Sequence, residues 1–116
     1  MASMTKIRWW DWLPFFGWRV VAVVDSADEV PSALPRAGAV LVGTRTRPKW
    51  VVFDCPCGRG HRIMLNTDKG RAPYWTTTVK GSLTISPSVD YAAPKQRCHY
   101  FIRNGRVKWV GERKSR

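Results

Sequence analysis

The sequence is poor in cysteine and acidic residues and has no long apolar run. Its 116 residues include 3 cysteines, an odd number that does not fit a framework of paired disulfides. We therefore expect thiols or a metal site in a reducing compartment, with the cytoplasm as the default location. The longest purely apolar run, residues 20–24, is far shorter than the roughly 18 residues that a membrane-spanning helix needs. No small-residue cleavage site follows the first aromatic residues, so the sequence predicts neither a transmembrane segment nor a secretory signal.

The apolar content is high enough for one compact domain. Hydrophobic residues make up 44 % of the chain and include 7 tryptophans, which argues against intrinsic disorder. We predict an aromatic-rich N-terminal segment over 1–18, a single compact β-rich domain over 19–111 and a basic tail over 112–116. Three interpretations of the N-terminal aromatic side chains stay open: packing on the domain, docking on a partner, or contact with a membrane surface.

The charge is strongly positive and unevenly distributed. The chain has 20 Lys plus Arg against 8 Asp plus Glu, a formal net charge of +12, and residues 51–116 hold 13 of the basic and 4 of the acidic side chains. The final stretch carries Arg103, Arg106 and Lys108 interleaved with Tyr100 and Trp109. A solvated strand face, a nucleic-acid surface and a surface for an acidic protein would all have this composition.

The residue pattern predicts an α+β, mostly β fold: a small antiparallel sheet of hairpins with one short helix. The helix is predicted over 28–34, with an N-cap at Asp25 or Ser26 and an end at Pro35 and Gly38. The hairpin around Asn104 and Gly105 is the clearest turn, because this pair readily takes the positive φ angles of a type I′ turn. Strands are predicted over 19–24, 39–42, 49–54, 61–65, 74–79, 82–86, 99–103 and 106–110.

Soft metal ligands are concentrated in one turn. Cys55, Cys57 and His61 lie within seven residues, and Cys98 follows far along the chain. Four such ligands suffice for a structural zinc site, which leaves His99 outside the metal set. The C-x-C spacing differs from the C-x₂-C of zinc knuckles and ribbons, so buried thiols in a tight turn and a redox-active pair remain alternatives.

A second group of residues has the chemistry of a serine hydrolase. Ser86 and Ser88 follow a predicted strand, and His99 begins the next one, so adjacent strands could bring a hydroxyl to an imidazole. Ser88 is the better nucleophile and Ser86 a supporting residue, because an oxyanion hole after Ser86 would need an N–H that Pro87 lacks. Asp90 or Asp54 are candidates to orient the imidazole. No G-x-S-x-G motif is present, and an ordinary structural turn explains the same spacing.

Four segments together resemble a known family of small bacterial domains of formerly unknown function. They are 53–58 (FDCPCG), 60–65 (GHRIML), 81–89 (GSLTISPSV) and 99–107 (HYFIRNGRV). The family is encoded in bacterial ubiquitin-like conjugation (Bub-type) operons, beside ubiquitin-like proteins and their activating and conjugating enzymes. The resemblance extends over about 24–110. It implies a cytoplasmic serine-type peptidase that processes the C-terminus of a ubiquitin-like protein precursor, with Ser88, His99 and Ser86 at the active site.

The sequence departs from the family pattern at the cysteines. The family has further cysteines where Arg59 and Gln96 stand here, and a serine at the position of Cys98. His61 and Cys98 each lie two residues beyond a missing cysteine, and this step keeps a side chain on the same face of a strand. These replacements leave two alternatives: a zinc site with shifted ligands, or loss of the metal site. The resemblance implies that any zinc is structural and that catalysis needs no cofactor.

Partners implied by the resemblance are the ubiquitin-like precursor and the activating and conjugating enzymes of the same operon. The alternative function is a non-catalytic basic module, with or without structural zinc, that binds nucleic acid or another component of the operon. Nucleic acid is the less favoured partner.

Overall fold

The chain forms two β-sheets in the computed structural model, which describes residues 7–12, 17–58, 60–78, 81–93 and 96–110. Each sheet has four strands in sequence order. The first contains β1 (Arg19–Val24), β2 (Gly38–Gly43), β3 (Pro48–Asp54) and β4 (Arg62–Asn66). The second contains β5 (Thr76–Thr78), β6 (Thr84–Ala93), β7 (Gln96–Arg103) and β8 (Arg106–Trp109). Strands β1 and β2 are parallel, and every other neighbouring pair is antiparallel.

The two sheets share one hydrophobic core. Alternate residues of each strand point to this core, as the two-residue period of a strand requires. Phe53 and Leu41 of the first sheet and Tyr100 and Ile102 of the second are fully buried in the same cluster. Trp18, just before β1, also belongs to it and meets the Phe53 ring edge to face.

The outer faces of the two sheets differ. A second apolar cluster, which includes Val40 and Val52, covers the outer face of the first sheet, where Leu34 of the β1–β2 connection and Ile7 pack. The fully buried residues of β2 fit this position between two layers. The outer face of the second sheet carries polar and charged side chains instead, among them Ser88 and His99.

The predicted helix over 28–34 is wrong, and with it the α+β class, because the protein is nearly all β. The predicted single antiparallel sheet is also wrong, because the strands form two sheets and β1 and β2 are parallel. Only a one-turn 3-10 helix forms there, over Ala27–Glu29. Its start agrees with the predicted cap, since Ser26 and Glu29 form a capping box. Its end is set by Pro31, which lacks an N–H and disfavours helical backbone at the preceding residue. Val30 is accordingly extended, with φ −71° and ψ 125°. The described helical residues are this turn and a 3-10 helix over Trp9–Trp12.

The hairpin between β7 and β8 forms as predicted. Asn104 and Gly105 have φ of 50° and 81°, the positive values of a type I′ turn. The turn is fastened to the rest of the core, because Gly105 donates to the Leu83 carbonyl and accepts from the Trp18 amide. A Cβ at Gly105 would lie 3.0 Å from the Ser82 Cβ, so this close approach requires glycine.

The aromatic N-terminal segment divides between core and surface. Trp18 is buried, whereas Trp9, Trp10 and Trp12 are 73 %, 40 % and 51 % exposed. Residues 13–16 and the tail 112–116 lie outside the described residues, so the division into 1–18, 19–111 and 112–116 stays a prediction. Across the described part of the chain, no helix has the length and apolar character to cross a membrane.

Candidate active site and metal cluster

Ser88 and His99 meet on the outer face of the second sheet. The Ser88 Oγ and the His99 Nε2 are 2.9 Å apart, within hydrogen-bonding distance. Both residues are half-buried, so the pair is open to a substrate on one side. His99 lies directly opposite Asp90, and Ser88 is two residues before Asp90 on the same strand. The hydroxyl and the imidazole are thus diagonal neighbours on one face of an antiparallel pair.

An irregularity in β6 brings the serine to this position. The register of β6 and β7 is regular from Val89 to Ala93 and then shifts between Ile85 and Val89. Four steps along β6 there match two steps along β7, because Ile85 pairs with Ile102 and Val89 with Tyr100. The residues from Ser86 to Ser88 therefore form a bulge, a feature that redirects side chains and is common beside active sites. Proline at position 87 fits, since a bulge tolerates a residue without an N–H.

Trp75 holds the backbone of the bulge. Its indole Nε1 donates to the Ser88 carbonyl at 3.1 Å. The next residue, Thr76, is the register partner of Ser86, and its hydroxyl donates to the Ser86 carbonyl at 3.4 Å. The start of β5 thus fixes both ends of the bulge. Ser86 itself is exposed, and its described side chain makes no hydrogen bond to His99.

Neither candidate acid is hydrogen-bonded to the imidazole. The Asp90 carboxylate is held by Arg97, with N···O distances of 2.8 and 2.6 Å. This guanidinium lowers the pKa of Asp90, and the nearby charge of His99 lowers it further. Asp54 pairs with Arg62 at 2.7 Å, at the end of β3 in the other sheet. Within the described residues, the site is therefore a Ser–His pair without a bonded carboxylate.

The four predicted metal ligands also come together. The ligand atoms of Cys55, Cys57, His61 and Cys98 all lie within 4.8 Å of one another. Donor atoms around a tetrahedral zinc ion are about 3.5 to 3.8 Å apart, and the Cys57 Sγ is 3.4 Å from the His61 Nδ1. The turn is closed by its own backbone, since Cys55 donates to the His61 carbonyl at 2.9 Å. Three sulfur donors and one imidazole could thus hold a metal ion such as zinc.

Burial in this cluster favours the protonated thiol over the thiolate unless a cation is bound. Burial raises the pKa of the Cys55 thiol to about 12. Burial also raises the pKa of the adjacent Tyr100 hydroxyl, and the neighbouring Cys55 adds to this effect. A bound divalent cation lowers the pKa of a coordinating thiol, which then loses its proton. The donor set therefore fits a cation.

The metal cluster and the Ser–His pair lie on opposite faces of the same strand. Cys98 points into the core, and His99 points outward. The pair has the geometry that a nucleophilic hydroxyl and its general base need. The cluster has the composition of a structural metal site, in which all four ligands come from the protein.

Comparison with known proteins assigns the chain to a family. A family model described as "Bacterial ubiquitination-like system serine protease (BubE)" matches residues 26–110. The chain belongs to this family. The BubE match includes Ser88, His99 and all four residues of the metal cluster. Neither curated proteins nor solved structures give a match.

Two features of the candidate site were not predicted from the sequence. The Trp75 contact was not predicted, because spacing along the chain does not place an indole beside Ser88. The continuation of β6 to Ala93 was also missed, since the predicted strand ended at Ser86. A proline between two serines after an alternating strand was the available signal for a bulge.

Proposed function

We propose that this protein is a serine-type peptidase that cleaves the C-terminus of a ubiquitin-like protein precursor before conjugation. The observation that carries the proposal is the 2.9 Å contact between the Ser88 Oγ and the His99 Nε2 on an accessible sheet face. Membership of a family described as serine proteases of a ubiquitination-like system supports it. The precursor is the proposed substrate, and the activating and conjugating enzymes of the same system are further candidate partners.

In the proposed mechanism, Ser88 is the nucleophile and His99 is the general base. His99 Nε2 takes the hydroxyl proton while the Ser88 Oγ forms a bond to the carbonyl carbon of the scissile peptide. The carbon–nitrogen bond then breaks, and His99 returns the proton to the leaving amine. Water attacks the resulting acyl-enzyme with His99 again as base, which releases the new C-terminal carboxylate and regenerates Ser88.

The bulge supports the developing negative charge in this proposal. Residues 86–88 have no register partner on β7, so the regular ladder is interrupted next to the nucleophile. The amides of Ser86 and Ser88 are the candidate oxyanion donors, since Pro87 between them has no N–H. Ser86 then contributes through its backbone, and its hydroxyl has no chemical role.

A structural zinc ion is the proposed occupant of the cluster of Cys55, Cys57, His61 and Cys98. It would connect the β3–β4 turn of the first sheet to β7 of the second. Bound there, zinc supplies cross-linking and keeps the thiolates deprotonated. The hydrolysis itself uses Ser88 and His99 and needs no cofactor.

The test is mass spectrometry of the ubiquitin-like precursor after incubation with the unmodified protein, Ser88→Ala, His99→Ala and Ser86→Ala. We expect a shorter precursor with one new C-terminus. The Ser88→Ala and His99→Ala proteins should lose at least about a thousandfold in rate, as other serine peptidases do. Ser86→Ala should lose less than about tenfold, since its backbone amide is retained.

Two results would overturn the proposal. Cleavage by Ser88→Ala at the unmodified rate would remove the nucleophile assignment. An intact precursor in every reaction, together with oligonucleotide binding that weakens steeply with salt, would instead support the non-catalytic basic module.

A further inference from the structure

We infer that the outer face of β7 and β8 is a docking surface for acidic residues of the polypeptide that Ser88 and His99 cleave. This inference rests on the proposed function and adds a substrate preference to it. The surface is formed by Phe101 and Arg103 of β7 with Arg106 and Lys108 of β8, and we call it the basic face. It lies beside His99 on the same side of the sheet.

The strand register places the basic face next to the Ser–His pair. Phe101 is two residues from His99, so both point outward, and Lys108 is directly opposite Phe101. Arg103 follows on the same face with Arg106 opposite it. At about 3.3 Å per residue, Phe101 lies about 7 Å and Arg103 about 13 Å along β7 from His99. An extended segment at Ser88 reaches these cations within about two to four residues of its scissile bond.

The cations of this face lack internal counter-charges. Arg103, Arg106 and Lys108 are exposed, and within the described part of the chain no carboxylate forms an ion pair with any of them. Asp90, the acidic residue on the neighbouring strand, is already paired with Arg97 at 2.6 Å. The positive field beside the active site is thus available to a ligand.

The pairing of Arg103 with Arg106 is unfavourable by itself. Like charges directly opposite each other destabilise an antiparallel pair, and these two arginines close the turn at Asn104 and Gly105. A local arrangement that costs stability is expected where function requires it. An anionic ligand over the two guanidinium groups would remove this repulsion.

The aromatic content of the face favours carboxylates over nucleobases. Single-stranded nucleic acid is held by exposed rings on which bases stack. Phe101 is half-buried and already covered by the Arg103 guanidinium, 4.2 Å from the ring centroid. The most exposed rings, Trp9 and Trp12, belong to the 3-10 helix that is linked to β1 of the first sheet by the Arg19–Asp11 contact.

The test measures binding and cleavage separately. The probes are the fluorescein-labelled C-terminal segment of the ubiquitin-like precursor and a version with every Asp and Glu replaced by Asn and Gln. Fluorescence anisotropy with the Ser88→Ala protein should show binding of the acidic probe about tenfold or more tighter at low salt, and the difference should shrink as salt screens exposed charges. Cleavage by the unmodified protein should show the same preference through KM.

The variant Arg106→Glu with Lys108→Glu should abolish this preference. Its melting temperature should not fall, because Glu at 106 would face Arg103 and replace a like-charge pair with an opposite-charge pair. The control is Arg45→Glu with Lys69→Glu, which makes the same charge change on exposed loops of the first sheet. This control should keep the preference.

The outcomes separate this inference from the proposed function. Precursor cleavage that is indifferent to acidic residues, or an equal loss of preference in the control, overturns the docking surface and leaves the peptidase standing. Acid-dependent binding without any cleavage overturns the peptidase and leaves the docking surface. A third outcome overturns the inference in favour of nucleic acid. In it, both peptide probes bind equally, and the protein binds a single-stranded oligonucleotide unless Arg106→Glu and Lys108→Glu are introduced.

Discussion

His99 is positioned by its place in β7, without a carboxylate bonded to its ring among the described residues. Asp90 is directly opposite, but its two oxygens are occupied by Arg97. The Asp90 carboxylate therefore makes no hydrogen bond to the imidazole that would fix its tautomer. This arrangement differs from a Ser–His–Asp triad, in which a buried carboxylate accepts from the other ring nitrogen.

The first prediction concerns this acid. Asp90→Asn should lower kcat by less than about tenfold, whereas the same change in a triad costs about 10⁴-fold. The measurement is precursor cleavage under single-turnover conditions. Arg97→Gln, which removes the partner and keeps the acid, serves as the companion variant. A loss of about 10⁴-fold in Asp90→Asn would show instead that Asp90 turns to His99 when substrate is bound.

At this scale, the sequence predicted which candidate residues come together. Ser88 and His99, and the four candidate metal ligands, were named from residue type and spacing, and the fold brings each set together. Their catalytic and metal-binding roles stay predictions. The role of Asp90 could not be predicted, because its pairing depends on Arg97 across the β6–β7 hairpin. Spacing alone also did not reveal Trp75, whose side chain reaches Ser88 from a different strand.

Among the elements, the bulge in β6 is the one that positions the proposed nucleophile Ser88. It lets Ile85 and Val89 both pack into the core while two additional residues are accommodated between them. The Trp75 indole and the Thr76 hydroxyl hold its two ends. The geometry of the proposed nucleophile therefore depends on the strand beside it as well as on its own strand.

The second prediction follows from this dependence. Trp75→Phe keeps an aromatic ring but removes the N–H that binds the Ser88 carbonyl. A hydrogen bond of this kind contributes about 1 kcal/mol, so we expect kcat to fall about fivefold to tenfold. KM should change little, because Trp75 does not contact the basic face in the described structure. Steady-state cleavage of the precursor gives both constants.

The neighbouring Tyr74→Phe variant is the control, since it removes a polar group from the adjacent aromatic ring, which is exposed. It should leave both constants unchanged. An unchanged kcat in Trp75→Phe, or an equal decrease in Tyr74→Phe, would contradict a positioning role for the indole.

The elements also show where sequence patterns are insufficient. Most strand positions and the type I′ turn were predicted, because alternation and the Asn–Gly pair are local signals, but β6 continues seven residues beyond its predicted end at Ser86. The helix prediction over 28–34 was wrong because Ser26 does cap a helical turn, but Pro31 within the predicted range ends helical backbone after that one turn. The division into two sheets depends on long-range pairing, and no local pattern reports it.

For the whole molecule, the two sheets are held together by apolar packing, and one cluster of candidate metal ligands draws its side chains from both sheets. Cys55, Cys57 and His61 belong to the β3–β4 turn, and Cys98 belongs to β7. A zinc ion there would connect the sheets at the strand that carries His99. Metal binding would thus stabilise the fold and hold the strand that carries His99, and no chemical step of the proposed mechanism uses the ion.

The final prediction tests this connection. The purified protein should contain one zinc ion per chain, and a chelator should lower its melting temperature. A ligand present at about a hundredfold above its Kd stabilises the folded protein by about 2.7 kcal/mol. Its removal corresponds to a decrease in melting temperature of about 10 °C for a domain of this size.

Cys98→Ser should lose the metal, whereas His99→Ala, the adjacent residue on the opposite face, should keep the metal and lose only activity. Because these two side chains are consecutive in β7, different effects on zinc content, together with loss of cleavage in His99→Ala, would establish that the inner face binds the ion and the outer face acts on substrate. A metal-free protein whose melting temperature ignores the chelator would instead mean that the four side chains are a buried thiol cluster, and that apolar packing alone holds the sheets together.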